Sequence, residues 1–404
     1  METKLKNLKK STKKLQTLTQ SQRSNLIENI AKAIEQNIDK IIKANAIDLQ
    51  NAKNLSPALQ DRLKLDEKRI INLAKSLRDI ALLKDPIGKI KDGWITQSGL
   101  KIEKISVPLG VIAIIYESRP NVTAEVVALA IKSSNGCALK GGKEAINSNL
   151  ALVEIIKDSL KEYGGCVEYF DISRDEIIDF IRMDRYLDLV VPRGGEGLVK
   201  FVSSNSSVPV LKHDKGVCHI YIHKSANIQK ALDICVNAKC SRPGVCNAAE
   251  SVLVDEELSS EFLPLLKSEL DKFGVIIHGC EKSSQIIDCQ KASEDSYYNE
   301  YLDFELNLKV VSGFDEAIAH IDEHSSGHSE AIVSDDYSVC ERFLSLVDSA
   351  CVYANASTRF SDGGEFGFGG EIGISTGKMH ARGPVGVSEL TTYKYIIRGD
   401  GQIR

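Results

Sequence analysis

Apolar residues at Leu26, Ile27, Ile30, Ala33 and Ile34 recur at helical spacing, and the chain keeps a helical texture to about residue 85. Asp85-Pro86-Ile87-Gly88 punctuates the end of that block. Ile102 to Val107 then alternates as a strand does, with Gly93 and Gly99 ahead of it, which predicts a hairpin projecting from the body. Val111-Ile112-Ala113-Ile114-Ile115-Tyr116 is a continuous apolar run, the mark of a strand buried on both faces.

Helix and strand patterns alternate from there. Val122 to Ile131 reads as a helix, Cys137-Ala138-Leu139 as a short strand ending at Lys140-Gly141-Gly142, and Leu150 to Leu160 as a helix. Leu187 to Val191 reads as a strand with the loop Arg193-Gly194-Gly195-Glu196-Gly197 behind it. Leu198 to Val202 opens the next helix, and Val208-Pro209-Val210 the next strand. A second alternating block runs from near Ile220 to about Cys351. It has helices at Ile228–Ala238 and Glu261–Phe273, and strands at Ser251–Val254 and Val275–His278. Glu389 to Ile397 is strand-like and is placed to pair with the early hairpin. This alternation predicts an α/β protein, an open and mostly parallel sheet with helices on both faces.

A chain of 404 residues exceeds one compact core, so two or three domains are expected. Its 43% hydrophobic and 26% charged residues fit a globular chain rather than a disordered one. A net charge of -5 gives no electrostatic reason to bind nucleic acid. The basic run Lys4, Lys6, Lys9, Lys10, Lys13 and Lys14 reads as the solvated face of a first helix. No apolar run approaches a membrane span, and the N-terminal segment lacks the apolar core of a signal peptide, which predicts a cytoplasmic protein without membrane contact. Ten cysteines without a CxxC pair then read as reduced and mostly buried, with one or two reactive at most.

Cys246 is the first candidate. Pro243 and Gly244 interrupt the preceding helix, and a second helix is expected to start just after the cysteine, which would place the thiol at a helix N-terminus. The N–H of Asn247 would then face an oxyanion. Nine other cysteines compete, and a buried thiol in a turn is the plainer reading. The glycines of Pro192 to Gly197 follow a strand and precede a helix, as a dinucleotide loop does, without forming GxGxxG; Lys140-Gly141-Gly142-Lys143 also follows a strand. Taken alone, each is better read as an ordinary tight turn. His320, His324 and His328 have the spacing of a helical metal face, but Ser325, Ser326 and Gly327 end the helix near His324, so no metal is expected. Arg119, Arg242 and Arg359 suit bidentate capture of carboxylate or phosphate, against a default of surface ion pairs.

In order, these segments resemble the gamma-glutamyl phosphate reductase family of the aldehyde dehydrogenase superfamily. The likeness lies in Val107-Pro108-Leu109-Gly110-Val111-Ile112 with Tyr116-Glu117-Ser118-Arg119-Pro120-Asn121-Val122, in Arg242-Pro243 to Cys246-Asn247-Ala248, and in Ala317 to Ile332. It continues in Glu371-Ile372-Gly373-Ile374-Ser375-Thr376 and His380-Ala381-Arg382-Gly383-Pro384, so it covers nearly the whole chain. Ser134, Gly136, Glu330 and Gly370 depart from the family pattern by small exchanges.

The resemblance implies an aldehyde dehydrogenase-like fold with two open parallel α/β sheet domains and a small β oligomerisation flap. Residues 1–92 and 108–237, rejoined by about 355–381, would bind cofactor; 238–354 would carry the nucleophile; 93–107 and 382–404 would form the hairpin and tail of a homo-oligomer. It implies NADPH-dependent reduction of L-glutamate 5-phosphate to L-glutamate 5-semialdehyde through a Cys246 thioester, the second step of proline biosynthesis from glutamate. It further implies Arg119 and the Cys246–Asn247 backbone at the oxyanions or leaving phosphate, and Arg242, Arg359 and Asn121 at the substrate. Lys140 and Lys143 would meet the adenosine ribose or its phosphate, Gly194, Gly195 and Gly197 the pyrophosphate, and Glu371 the nicotinamide ribose. His213 falls near the glutamate with which ordinary aldehyde dehydrogenases hydrolyse a thioester, a step a reductase does not need. An aldehyde-oxidising relative would need that glutamate; a thiol acyltransferase would draw on His219 or His223 and leave the cofactor loops unexplained. The lability of an acyl phosphate suggests hand-off from a separate glutamate kinase.

Overall fold

The computed structural model describes residues 1–212 and 215–404. Five helices open the chain: α1 (Glu2–Leu15), α2 (Gln20–Gln36), α3 (Ile38–Asn51), α4 (Pro57–Leu63) and α5 (Glu67–Leu82). Leu5, Leu8 and Leu15 are buried along one side of α1, and most of its lysines are exposed on the other. In α2, Ile27, Ile30, Ala31 and Ile34 form the buried stripe, and Thr19 and Gln22 close a capping box at its start.

The hairpin β1 (Ile90–Ile95) and β2 (Lys101–Pro108) is antiparallel, as predicted. Next come β3 (Val111–Tyr116), α6 (Asn121–Lys132), β4 (Gly136–Gly141), α7 (Ile146–Leu160), β5 (Val167–Tyr169), α8 (Glu176–Phe180), β6 (Leu189–Arg193) and α9 (Glu196–Asn205). The four strands pair in parallel in the order β5-β4-β3-β6. Every residue of β3 is buried. Val111, Ala113 and Ile115 face a core with Leu5, Leu8, Phe180 and Val202 from α1, α8 and α9. The strand expected at Val208-Pro209-Val210 amounts to a single bridge, Val190 to Val210; Pro209 has no N–H to extend a ladder.

The second block contains β7 (Cys218–Ile222), α10 (Ile228–Cys240), β8 (Ala249–Asp255), α11 (Glu256–Asp271), β9 (Ile276–Gly279), α12 (Glu281–Ser284), β10 (Gln290–Lys291), β11 (Glu305–Val311), α13 (Phe314–His324), β12 (Ser329–Val333), α14 (Tyr337–Leu346) and β13 (Cys351–Ala354). Its seven strands lie in the order β10-β9-β11-β8-β7-β12-β13, all pairings parallel. Strand alternation sorts the two faces. Ile220, Ile222, Val252 and Val254 pack with Leu232, Phe262 and Leu266 of α10 and α11, while Tyr221 and Leu253 pack with Ile321 and Phe343 of α13 and α14. Two short strands, β14 (Gly373–Ser375) and β15 (Gly383–Val385), pair separately. The tail strand β16 (Thr391–Arg398) adds antiparallel to β2, completing the flap β1-β2-β16.

The chain divides into two compact units: Met1–His213 with Gly367–Gly373 and Val385–Arg404, and Asp214–Phe366 with Ile374–Pro384. Residues 218–237, expected with the cofactor-binding part, fall in the second unit because β7 is a central strand of the seven-stranded sheet. Of the returning segment 355–381, only 367–373 joins the first unit. No helix among the described residues is long and apolar enough to cross a membrane.

Candidate active site

In the second unit, α10 ends at Cys240 and the chain turns through Pro243 and Gly244 to Cys246. The helix expected after Cys246 does not form: Asn247 and Ala248 continue the turn and Ala249 opens β8. Cys246 therefore follows a helix C-terminus instead of heading a helix of its own. The turn is closed at its base by a buried ion pair, Lys239 Nζ to Glu250 Oε2 at 2.7 Å, both side chains 0% exposed. Burial pushes the Glu250 carboxyl up to about 7 even with Lys239 pulling it down.

Exposure narrows the choice of nucleophile. Seven of the ten cysteines are buried; Cys246, Cys280 and Cys289 are half-buried. Burial raises the Cys166 thiol to about 12 and the Cys240 thiol to about 11. Cys280 accepts from Val310 N (3.3 Å) and contacts Ser283 Oγ (3.2 Å), while Cys289 contacts Ser284 Oγ (3.5 Å), with no arginine in either set.

Cys246 instead shares its surroundings with Arg359. Burial holds the half-buried Arg359 guanidinium below its ordinary range and Arg242 adds to this, while Asp362, Cys246 and Glu365 pull it back. Arg359 Nε donates to Ser241 Oγ (3.1 Å), and Nη1 donates to Asn247 Oδ1. The backbone of Cys246 is seated on Gly216, where an added Cβ would lie 1.8 Å from Cys246 O. Cys218 Sγ also donates to that oxygen, at 3.2 Å. Gly216 is thus required for close approach rather than for backbone freedom. Gly216→Ala is expected to displace the turn and lower turnover on the order of 100-fold with the fold retained, checked by steady-state kinetics beside circular dichroism.

The histidine series is structural. His320 and His324 stack on α13 with ring centroids 4.1 Å apart, and the helix stops at His324 as expected. Burial, with His219, Lys309 and His324 nearby, drives the His320 imidazole down to about 2, so it stays neutral. Buried His328 lies one residue before β12 and contacts Ser329 Oγ at 2.8 Å. No group of three His, Cys, Asp or Glu side chains among the described residues could hold a metal ion. His213 lies outside the described residues.

In the first unit the strand order reverses between β3 and β6, and ligands of open α/β sheets bind beyond the carboxyl ends of the strands at such a point. Arg119 and Asn121 lie just beyond β3, Lys140 near the end of β4 with Lys143 just beyond it, and Gly194 and Gly195 just beyond β6. The expected Pro192–Gly197 loop is shorter than predicted: Pro192 and Arg193 complete β6, and Gly197 lies in the first turn of α9. A Cβ at Gly195 or Gly197 would meet nothing within 4 Å, so the space beside that backbone is open. Burial lowers the Lys140 ammonium against the pull of Glu144, Asp171 and Glu117. A Cβ on Gly373 would lie 3.2 Å from Arg193 Nη1, which sets the segment holding Glu371 beside the end of β6.

Two carboxylates here escaped the sequence reading. Glu117 accepts from Gly195 N (2.9 Å) and fixes the glycine turn. Glu125 Oε2 accepts from Asn121 Nδ2 (3.3 Å); burial raises its carboxyl, with Asn121, Arg193 and Arg119 opposing. Glu117 was visible inside the Tyr116-to-Val122 motif, whereas Glu125 looks like any polar position of a helix.

Residues 2–292 match the aldehyde dehydrogenase family model. The chain is 54% identical to the gamma-glutamyl phosphate reductase of Nautilia profundicola over 99% of both chains, and 50% identical to that of a Sulfurovum species over 100% of both. The crystal structure of gamma-glutamyl phosphate reductase from Thermotoga maritima superposes with a TM-score of 0.97 at 46% identity, covering 99% of each chain. Full-length similarity of this order, on this sheet architecture and with the Cys246 turn in place, establishes that the chain belongs to the gamma-glutamyl phosphate reductase family, within the aldehyde dehydrogenases.

Proposed function

We propose that this chain reduces L-glutamate 5-phosphate to L-glutamate 5-semialdehyde and inorganic phosphate with NADPH, the second step of proline biosynthesis from glutamate. The observation that carries the reading is Cys246, a half-buried thiol on a braced turn and coupled by charge to Arg359, in a chain similar over its full length to reductases named for that substrate. The Cys246 thiolate attacks C5 of the acyl phosphate, the C–O bond breaks, and phosphate leaves with its electron pair. Bound NADPH supplies the hydride that reduces the thioester. Cleavage of the C–S bond in the resulting adduct returns the thiolate and the aldehyde.

The backbone N–H groups of Cys246 and Asn247 face the oxyanions in this reading, with Arg119 at an oxyanion or the departing phosphate. Arg242, Arg359 and Asn121 hold the substrate. Lys140 and Lys143 meet the adenosine ribose or its 2′-phosphate, Gly194, Gly195 and Gly197 the pyrophosphate, and Glu371 the nicotinamide ribose. A cytoplasmic homo-oligomer built through the flap, supplied with acyl phosphate by a separate glutamate kinase, completes the proposal.

The test is the reverse reaction. Purified enzyme with semialdehyde and NADP should form NADPH only when inorganic phosphate is added. Phosphate-independent turnover to the acid would replace this reading with an aldehyde-oxidising one. Arg119→Ala should lower turnover on the order of 100-fold in the same assay, and an unchanged rate would remove Arg119 from the reacting centre.

A further inference from the structure

We infer that Asn247 is a positioning residue: its carboxamide locks the Arg359 guanidinium beside Cys246, and through Arg359 it sets how tightly the site holds the substrate's anionic group. Asn247 is 4% exposed, and its side chain is wholly committed. Its Oδ1 accepts from Arg359 Nη1, and its Nδ2 donates to Arg359 O (3.3 Å) and Ser361 O (2.9 Å). A carboxamide has two N–H bonds, so none remains to stabilise a developing oxyanion. The backbone of Asn247 joins the same clamp, its carbonyl accepting from Thr358 Oγ1 at 2.8 Å.

The clamped segment is itself anchored. Ser357 Oγ accepts from Arg359 N (3.3 Å), and Ser361 Oγ bonds Ser329 Oγ (2.5 Å) at the start of β12 and Tyr353 Oη (2.7 Å) on β13. Arg359 is therefore held on Nε by Ser241 and on Nη1 by Asn247, in a frame fixed to the seven-stranded sheet. The guanidinium has five N–H donors, and those left over by the clamp suit a carboxylate or phosphate oxygen. Because Asn247 directly follows the cysteine, one residue fixes both the turn of the nucleophile and the direction of the cation.

The inference rests on the proposed reaction only for the identity of that anion, and the first measurement is independent of it. Alkylation of Cys246 by iodoacetate relative to iodoacetamide reports a cation held at the sulfur. Asn247→Ala should lower that ratio several-fold. It should raise KM for the acyl phosphate by about tenfold while kcat stays within about threefold, and adding Arg359→Ala should cost little more. Ser241→Ala, at an exposed position, should move ratio and KM in the same direction by less, so the test stands even if the Asn247 variant fails to fold. A fall in kcat with KM and alkylation ratio unchanged, or full additivity with Arg359→Ala, would overturn the assignment. A lowered ratio in a protein with no reductase activity would support the clamp and sink the proposed reaction.

Discussion

Changing Cys246 to serine removes phosphate-dependent NADP reduction, a loss on the order of 10⁴-fold or more. A serine hydroxyl is almost wholly protonated at neutral pH, whereas a thiol supplies a fraction of thiolate and is the stronger nucleophile. Arg359, the cation coupled by charge to Cys246, brings no general base that could rescue serine. The measurement has internal controls in the two other half-buried cysteines. Cys280→Ser and Cys289→Ser should leave turnover within about twofold, since their hydrogen-bond partners are backbone and serine. Acylation trapped on a peptide containing Cys246 would establish the thioester; acylation on either other thiol would refute it.

The second large effect is on stability. Lys239→Met leaves Glu250 buried without its cation, and breaking such a pair costs about 3–5 kcal/mol. The cost depends on pH in a stated direction. Glu250 already sits at about 7 rather than its ordinary 4.5, because burial outweighs Lys239, and without Lys239 its pKa climbs further. The folded protein then keeps a proton that the unfolded chain releases above about 4.5, so stability falls as pH rises from there through the folded value. Melting curves should show a larger deficit for Lys239→Met at pH 8 than at pH 5, and Glu250→Gln added to Lys239→Met should remove most of that pH dependence. An equal deficit at both pH values would contradict the assignment.

The fold was legible wherever burial imposes a pattern on neighbouring residues. Val111 to Tyr116 is apolar throughout because both faces of β3 are covered, whereas β1 of the flap is exposed along its whole length and β2 is mostly half-buried on both faces. The stretch after Cys246 misled because Ala248, Ala249 and Glu250 look helical, while what decides their conformation is remote: β8 is flanked by β7 and β11, and Glu250 finds Lys239 across the turn. At the candidate site, residue type points to the reactive groups and not to their supports. Cys246, Arg242 and Arg359 carry chemistry that residue type announces. Gly216 under the turn, Ser361 anchoring the arginine segment and Glu117 on the glycine turn matter through proximity, which no spacing in the chain encodes.

The flap joins strands made at very different times. β2 leaves the ribosome early, yet its second neighbour β16 lies near residue 391, so Pro108 waits for Thr391 through most of translation. A nascent chain stalled before that point exposes an unpaired edge of β2, a ready target for chaperones or for the β2 edge of another unfinished copy. Truncations that remove β16 should therefore aggregate during expression.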